Sequence, residues 1–181
     1  DKITNIDSAY DKSPNKEKRL KTWYYEQIAL GYNYRMTDVQ SALGISQMKR
    51  LDLFVEKRRQ IVNTYNQAFQ NIDNIQIPYE LNECDSNFHL YVLLFDFEKT
   101  DISRAEYMFR LREKGVLTQV HYIPVHTQPF YQKNCGTSWG DFPVAEDYYN
   151  KCLSIPLYPK MTQKDVQKVI NDVIATLGGD V

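Results

Sequence analysis

Two short stretches of this 181-residue chain gather side chains that could do chemistry: Tyr32, Asn33, Tyr34 and Arg35 in one, and the segment QVHYIPVHTQPFY with His121, Tyr122 and His126 in the other. In the first, an arginine and an amide offer charge and hydrogen-bond donors to a phosphate, and two tyrosines offer flat apolar faces to a ring. A helix start two residues on would add backbone donors. The plainer reading is a polar turn ahead of a helix, with Arg35 in a solvent salt bridge. In the second stretch, imidazoles can donate to a phosphate or a ribose hydroxyl from either nitrogen. Structural histidines in a loop account for the same residues. Zinc needs a third ligand, and Cys135 is the nearby candidate at a spacing that fits no zinc pattern. A nucleophile–base pair lacks a nucleophile. His89, inside an apolar run, reads as a core residue.

The elements that must hold these stretches follow from periodicity. Thr37 and Gln40 have the spacing of a capping box, with Asp38 in the first turn where the helix dipole favours negative charge. Leu51, Phe54, Val55, Val62, Tyr65 and Phe69 recur at helical spacing and predict a helix of about 20 residues. Glu56–Gln60 are expected on its wet side. NIQIP (Asn74–Pro78) predicts a short strand. Phe88–Phe97 predicts a central strand, with Phe88, Leu90, Val92 and Leu94 on one face and His89, Tyr91, Leu93 and Phe95 on the other. Ser103 and Glu106 open a helix that Gly115 closes. Val116–Tyr122 reads as another strand ended by Pro124, Pro143 as the first residue of a helix, and LSIPLYP as an extended linker. Thr162 caps a last helix lined by Val166, Val169, Ile170, Val173, Ile174 and Leu177 and stopped by Gly178 and Gly179. The expected fold is an α/β chain of the α+β kind, with a small, mostly antiparallel sheet covered by helices.

Composition narrows the function classes. A net charge of −1 provides no field to recruit nucleic acid. There is no apolar run long enough to span a bilayer. Three cysteines without a paired spacing point to a reducing compartment, so the cytoplasm. The 14 tyrosines suit either wet core edges or a ligand-lined cleft. Residues 1–21 are polar and lack period, unusual for the opening of a compact domain.

The stretch WYYEQIALGYNYRMTDVQSALGISQMKRLDLFVEKRR resembles the nucleotide-sugar aminotransferases, the DegT/DnrJ-type branch of fold-type I pyridoxal phosphate (PLP) enzymes. HLYVLLFD, QVHYIPVHTQPFY and AEDYYNKCLSIPLYPKMTQKDV are similar to the same family in the same order. WYYEQ together with HYIPVH looks most like the UDP-sugar C4 transaminases of pseudaminic acid synthesis. The resemblance implies that Asn33 reaches the PLP phosphate of a neighbouring subunit. It implies that Tyr34 and Arg35 lie near the nucleotide sugar, and that His121, Tyr122 and His126 line its pocket. It also implies a homodimer with shared active sites, a UDP-sugar substrate and an amino-acid donor, glutamate by expectation.

Where the pattern departs, the expectation changes. The family's Schiff-base lysine, its pyridine-nitrogen aspartate and its ring-stacking aromatic residue belong to a larger N-terminal domain, and none of those motifs is in this sequence. The resemblance therefore implies a C-terminal segment, with residues 1–36 as loop and connection, 37–70 as linking helices and 71–181 as the small domain. By itself such a segment is expected to lack transaminase activity and to expose the apolar faces of its first two helices. A sugar dehydratase of the same fold, with histidine in place of that lysine, and a non-catalytic dimerisation or binding module are the competing readings.

Overall fold

The computed structural model describes residues 29–32 and 34–178; Asn33, the residues 1–28 that include WYYEQ, and Gly179 lie outside the described residues. The chain forms two units, Asp1–Ile45 and Ser46–Val181. Helix α1 (Asp38–Met48), which starts in the first and runs past its boundary, begins as its capping box dictates: Gln40 Oε1 accepts from the Thr37 N–H at 2.9 Å, and Thr37 Oγ1 accepts from the Gln40 N–H at 3.3 Å. None of its residues is buried; Val39, Leu43, Ile45 and Met48 are all exposed.

The second unit is built on α2 (Leu51–Phe69), a three-stranded antiparallel sheet in the order β1 (Ile75–Gln76), β2 (Tyr91–Phe95), β3 (Cys152–Ile155), and the helices α3 (Arg104–Glu113), α4 (Pro129–Cys135), α5 (Pro143–Lys151) and α6 (Gln163–Leu177). The middle strand pairs Ile75 with Phe95 on one side and Tyr91 with Ile155 on the other. Tyr91, Leu93 and Phe95 put one face into a core shared with Ile61, Val62, Tyr65 and Phe69 of α2, Tyr107 and Leu111 of α3, and Val166, Val169, Ile170 and Val173 of α6. Each fully buried large side chain contributes on the order of 1.5–3 kcal/mol. Buried tyrosines must also satisfy a hydroxyl. Tyr65 donates to the Pro156 carbonyl at 2.8 Å, Tyr91 to Asn66 Oδ1 at 2.7 Å and Tyr107 to the Val173 carbonyl at 2.7 Å.

Several sequence expectations hold. The 19-residue α2, the Ser103 cap, Pro143 at the start of α5 and the Thr162 cap with its Asp165 partner are all present. Gly115 closes α3 at φ +81°, a left-handed conformation that suits glycine. Glu106, however, pairs with Arg110 at 2.7 Å rather than closing a full box.

Other expectations need correcting. Val116–Tyr122 makes no strand, only a bridge from Gln119 to Ser154. The reason is local: Gln119 and Ser154 exchange both backbone bonds, the same register would next pair Leu117 with Pro156, and a proline has no N–H to donate. The first three residues of LSIPLYP, Leu153–Ile155, are not linker but most of β3 (Cys152–Ile155), whose four residues are all buried. Nor are Arg58 and Arg59 on a wet face. The Arg58 guanidinium donates to the carbonyls of Phe88, His89 and Leu157 at 3.1–3.2 Å, and Arg59 donates to those of Asp85 and Ser86. Those contacts, with Phe88 at φ +45°, hold Phe88–Leu90 out of the strand and leave His89 exposed rather than in the core.

Candidate functional site

The strand-like segment after α3 leads into the turn that carries the histidines. Val116 is buried, Leu117 points outward, and Gln119 fastens the segment to β3 through two backbone hydrogen bonds with Ser154, at 2.8 and 3.1 Å. His121 is half-buried, and its Nδ1 lies 2.8 Å from Ser154 Oγ. Its Nε2 takes part in no hydrogen bond among the described residues and remains able to donate or accept. Tyr122 packs edge-on to the His121 ring, 4.5 Å between centroids, yet is 72% exposed.

Beyond Pro124, a turn of 3₁₀ helix at Val125–Thr127 swings His126 inward. His126 is buried, and its Nε2 lies 2.8 Å from Glu146 Oε1 of α5. The same oxygen accepts the N–H of Gly140 at 2.8 Å and of Phe142 at 3.3 Å. Burial pushes the Glu146 carboxyl up; the hydrogen bonds from Gly140, His126 and Phe142 outweigh it and hold the group below the ordinary carboxylate range. The Phe142 ring stands 4.8 Å from the imidazole. Between the turn and the start of α5 lies an apolar cleft of about 630 Å³ walled by Tyr122, Pro124, Phe142, Pro143, Val144 and Tyr148.

The sequence-predicted residues thus fall into distinct places. Tyr34 and Arg35 are exposed just ahead of α1 in the first unit, with the rings of Tyr32 and Tyr34 6.2 Å apart. His121 and Tyr122 sit side by side at the open end of the turn in the second unit, whereas His126 faces the interior. Glu146, Ser154 and the cleft-lining Phe142 and Tyr148 were not singled out from sequence. Glu146 reads there as an ordinary acid near a helix start, and only its position among three N–H groups distinguishes it.

Among the described residues, no three His, Cys, Asp or Glu side chains come together to hold a metal ion. Cys84 and Cys135 are exposed and Cys152 is buried, all with free thiols. Among the described residues no lysine is buried; Lys151, half-exposed, is paired with Asp147 at 2.7 Å, which raises its pKa and favours the ammonium. An aldehyde cofactor needs a lysine held neutral by desolvation, so the described residues do not themselves fit such a group. No helix among them is long and apolar enough to cross a membrane.

Comparison with known proteins adds a family. The profile of the DegT/DnrJ/EryC1/StrS aminotransferase family matches residues 9–174. The chain is 42% identical over 153 residues to the spore coat polysaccharide biosynthesis protein SpsC of Bacillus subtilis, covering 84% of this chain and 39% of that protein. It is 35% identical over 161 residues to the UDP-4-amino-4,6-dideoxy-N-acetyl-beta-L-altrosamine transaminase of Campylobacter jejuni, covering 89% of this chain and 41% of that protein. Among solved structures, Helicobacter pylori PseC, an aminotransferase involved in the biosynthesis of pseudoaminic acid, superposes with a TM-score of 0.75 at 27% identity, over 94% of this chain and 43% of that one. The chain therefore spans about two-fifths of the length of the proteins it matches.

Proposed function

The chain belongs to the DegT/DnrJ/EryC1/StrS aminotransferase family, and from that premise we propose that it supplies the small domain and part of the substrate surface of a PLP-dependent nucleotide-sugar aminotransferase. The parent protein would move an amino group from an amino acid, glutamate in our reading, to a 4-keto-6-deoxy sugar carried on UDP. The observation that carries the proposal is the family match over residues 9–174, on a unit whose sheet and helices have the fold of solved sugar aminotransferases.

The cofactor would supply the electron sink for amino transfer. In this reading the amine that holds it lies outside the described residues, none of whose lysines is buried. This chain's own contributions are to bind and orient. Asn33 would donate to the cofactor phosphate of a partner subunit in a homodimer with shared sites, with Tyr34 and Arg35 on the sugar nucleotide beside it. His121, anchored through Nδ1, would present Nε2 to a phosphate or ribose oxygen, and Tyr122 would offer its exposed ring to the base or sugar. His126, buried against Glu146, would shape the same pocket from behind. The exposed apolar residues of α1 suit a surface that another domain covers, and so, separately, do Leu51 and Leu53 of α2.

The parent protein carrying Asn33→Ala tests the reading. Loss of one hydrogen bond to a charged acceptor weakens cofactor retention by about 1.5–3 kcal/mol, with amino transfer to the UDP-keto-sugar falling alongside. Unchanged retention and turnover would remove Asn33 from the site. Release of water and loss of a sugar hydroxyl, without transfer of nitrogen, would favour the dehydratase. For the chain by itself we expect a binding or dimerisation module: no transaminase turnover, and no aldimine absorbance that borohydride abolishes at a lysine.

A further inference from the structure

The turn from His121 to Gln128 is tied to the rest of the chain at both ends and carries exposed apolar side chains between them. At one end His121 is fixed to Ser154 of β3. At the other, His126 is held twice: its ring by Glu146, and its carbonyl by the Thr137 hydroxyl at 2.7 Å. The Thr127 hydroxyl also donates to the Pro124 carbonyl at 2.7 Å, bracing the turn internally. Between these anchors Tyr122, Ile123 and Val125 point outward. Polar side chains face in and apolar ones face out, the reverse of what burial alone would select. An arrangement of that kind uses its hydrogen bonds to hold an apolar surface in place for something else.

Glu146 is the centre of the inner anchor. One carboxylate oxygen gathers N–H groups from two separate loops, His126 on one side and Gly140 and Phe142 on the other. Gly140 sits at φ +101°, which a side chain would resist, and that conformation lets its N–H point at the carboxylate. Removing the acceptor leaves three donors in a site where Glu146 is 5% exposed and His126 9%. The two loops that it joins carry opposite walls of the cleft, Tyr122 and Pro124 on one and Phe142 on the other.

We infer that Glu146, acting through His126, is a positioning residue that sets the separation of Tyr122 and Phe142 for the ring-bearing end of the substrate, and that the His126 imidazole does not itself touch that substrate. The identity of the ligand rests on the nucleotide-sugar reading above; the clasp rests on the hydrogen bonds alone.

The test uses the intact protein with UDP as the probe, and hydrogen exchange of residues 121–128 and 138–142 measured in parallel. His126→Ala and Glu146→Ala are expected to weaken UDP binding about tenfold and to raise exchange at both loops, while α6 and β2 stay protected. His126→Gln, which keeps a donor at the same reach, is expected to restore both protection and affinity to within about threefold of wild type. Should Glu146→Ala fail to fold, the two His126 variants decide the matter. The inference is overturned if His126→Gln loses affinity while the loops stay protected, since the imidazole would then contact the ligand. It is also overturned if the alanine variants open the loops without changing affinity. Absence of UDP binding by the wild type would sink the nucleotide-sugar reading separately. The clasp is then upheld if protection is lost in His126→Ala and regained in His126→Gln, and overturned if protection is the same in both.

Discussion

The face where α2, α3 and α6 meet the sheet and the outer face carried by residues 121–148 use the same residue types in opposite senses. On the first, Tyr65, Tyr91 and Tyr107 are fully buried, each hydroxyl donates to a fixed acceptor, and burial pushes all three phenols well above their ordinary range. On the second, Tyr122, Phe130, Phe142 and Val144 are exposed while His121, His126 and Glu146 are drawn inward. The first face is held by apolar area, which is nondirectional and tolerant of repacking. The second is held by a few directional hydrogen bonds, which fix a geometry without contributing much area. One region therefore sets stability and the other sets presentation, and changes to the two should separate.

The sharpest test is Phe69→Ala. It empties a fully buried site at the end of α2 and should cost about 3–5 kcal/mol in denaturant unfolding. A loss below about 1 kcal/mol would mean that the core is not where the comparison puts it. Next is Arg58→Ala, which strips three carbonyl acceptors of a charged donor and should cost about 1.5–3 kcal/mol. All three bonds come from the one nitrogen Nη1, so Arg58→Lys should recover part of the loss, limited by the shorter reach of its ammonium.

Acid should expose the outer face selectively. The folded Glu146 carboxyl titrates below its unfolded counterpart, so its contribution to stability is complete above the ordinary carboxylate range and is lost as pH falls through the lowered folded value. The gap in melting temperature between wild type and Glu146→Ala should hold steady from neutral pH down to about 5 and narrow progressively as pH falls below the ordinary carboxylate range. A gap that widened on acidification would reverse the sign and break the account. The smallest stability effect is expected at Tyr122→Ala, within about 0.5 kcal/mol of wild type because the side chain is exposed, although the same change should weaken nucleotide binding in the parent protein.

Much of the fold was legible from periodicity. α2 and α6 each present a helical stripe to the core, and the caps at Thr37, Ser103 and Thr162 are local signals that tertiary contacts did not override. The failures share one cause. Leu153–Ile155 of β3 read as linker in the sequence because so short a run carries no period, and only pairing with β2 makes it a strand. Val116–Tyr122 had the strand pattern without the partner hydrogen bonds. Arg58 and Arg59 looked solvated because their acceptors are carbonyls more than 25 residues away in sequence.

The candidate site divides in the same way. The sequence by itself determined which residue types stand at Tyr32–Arg35 and in HYIPVH, how the neighbouring helices start, and the resemblance to a family that handles nucleotide sugars, because each of these is written in short contiguous runs. Only the tertiary structure decided that His121 and His126 turn to different partners, that Glu146 joins two loops, and that Tyr122 stands outside the packed core. Those outcomes depend on directional hydrogen bonds between segments 20 to 33 residues apart, and no local pattern encodes where such donors and acceptors will meet.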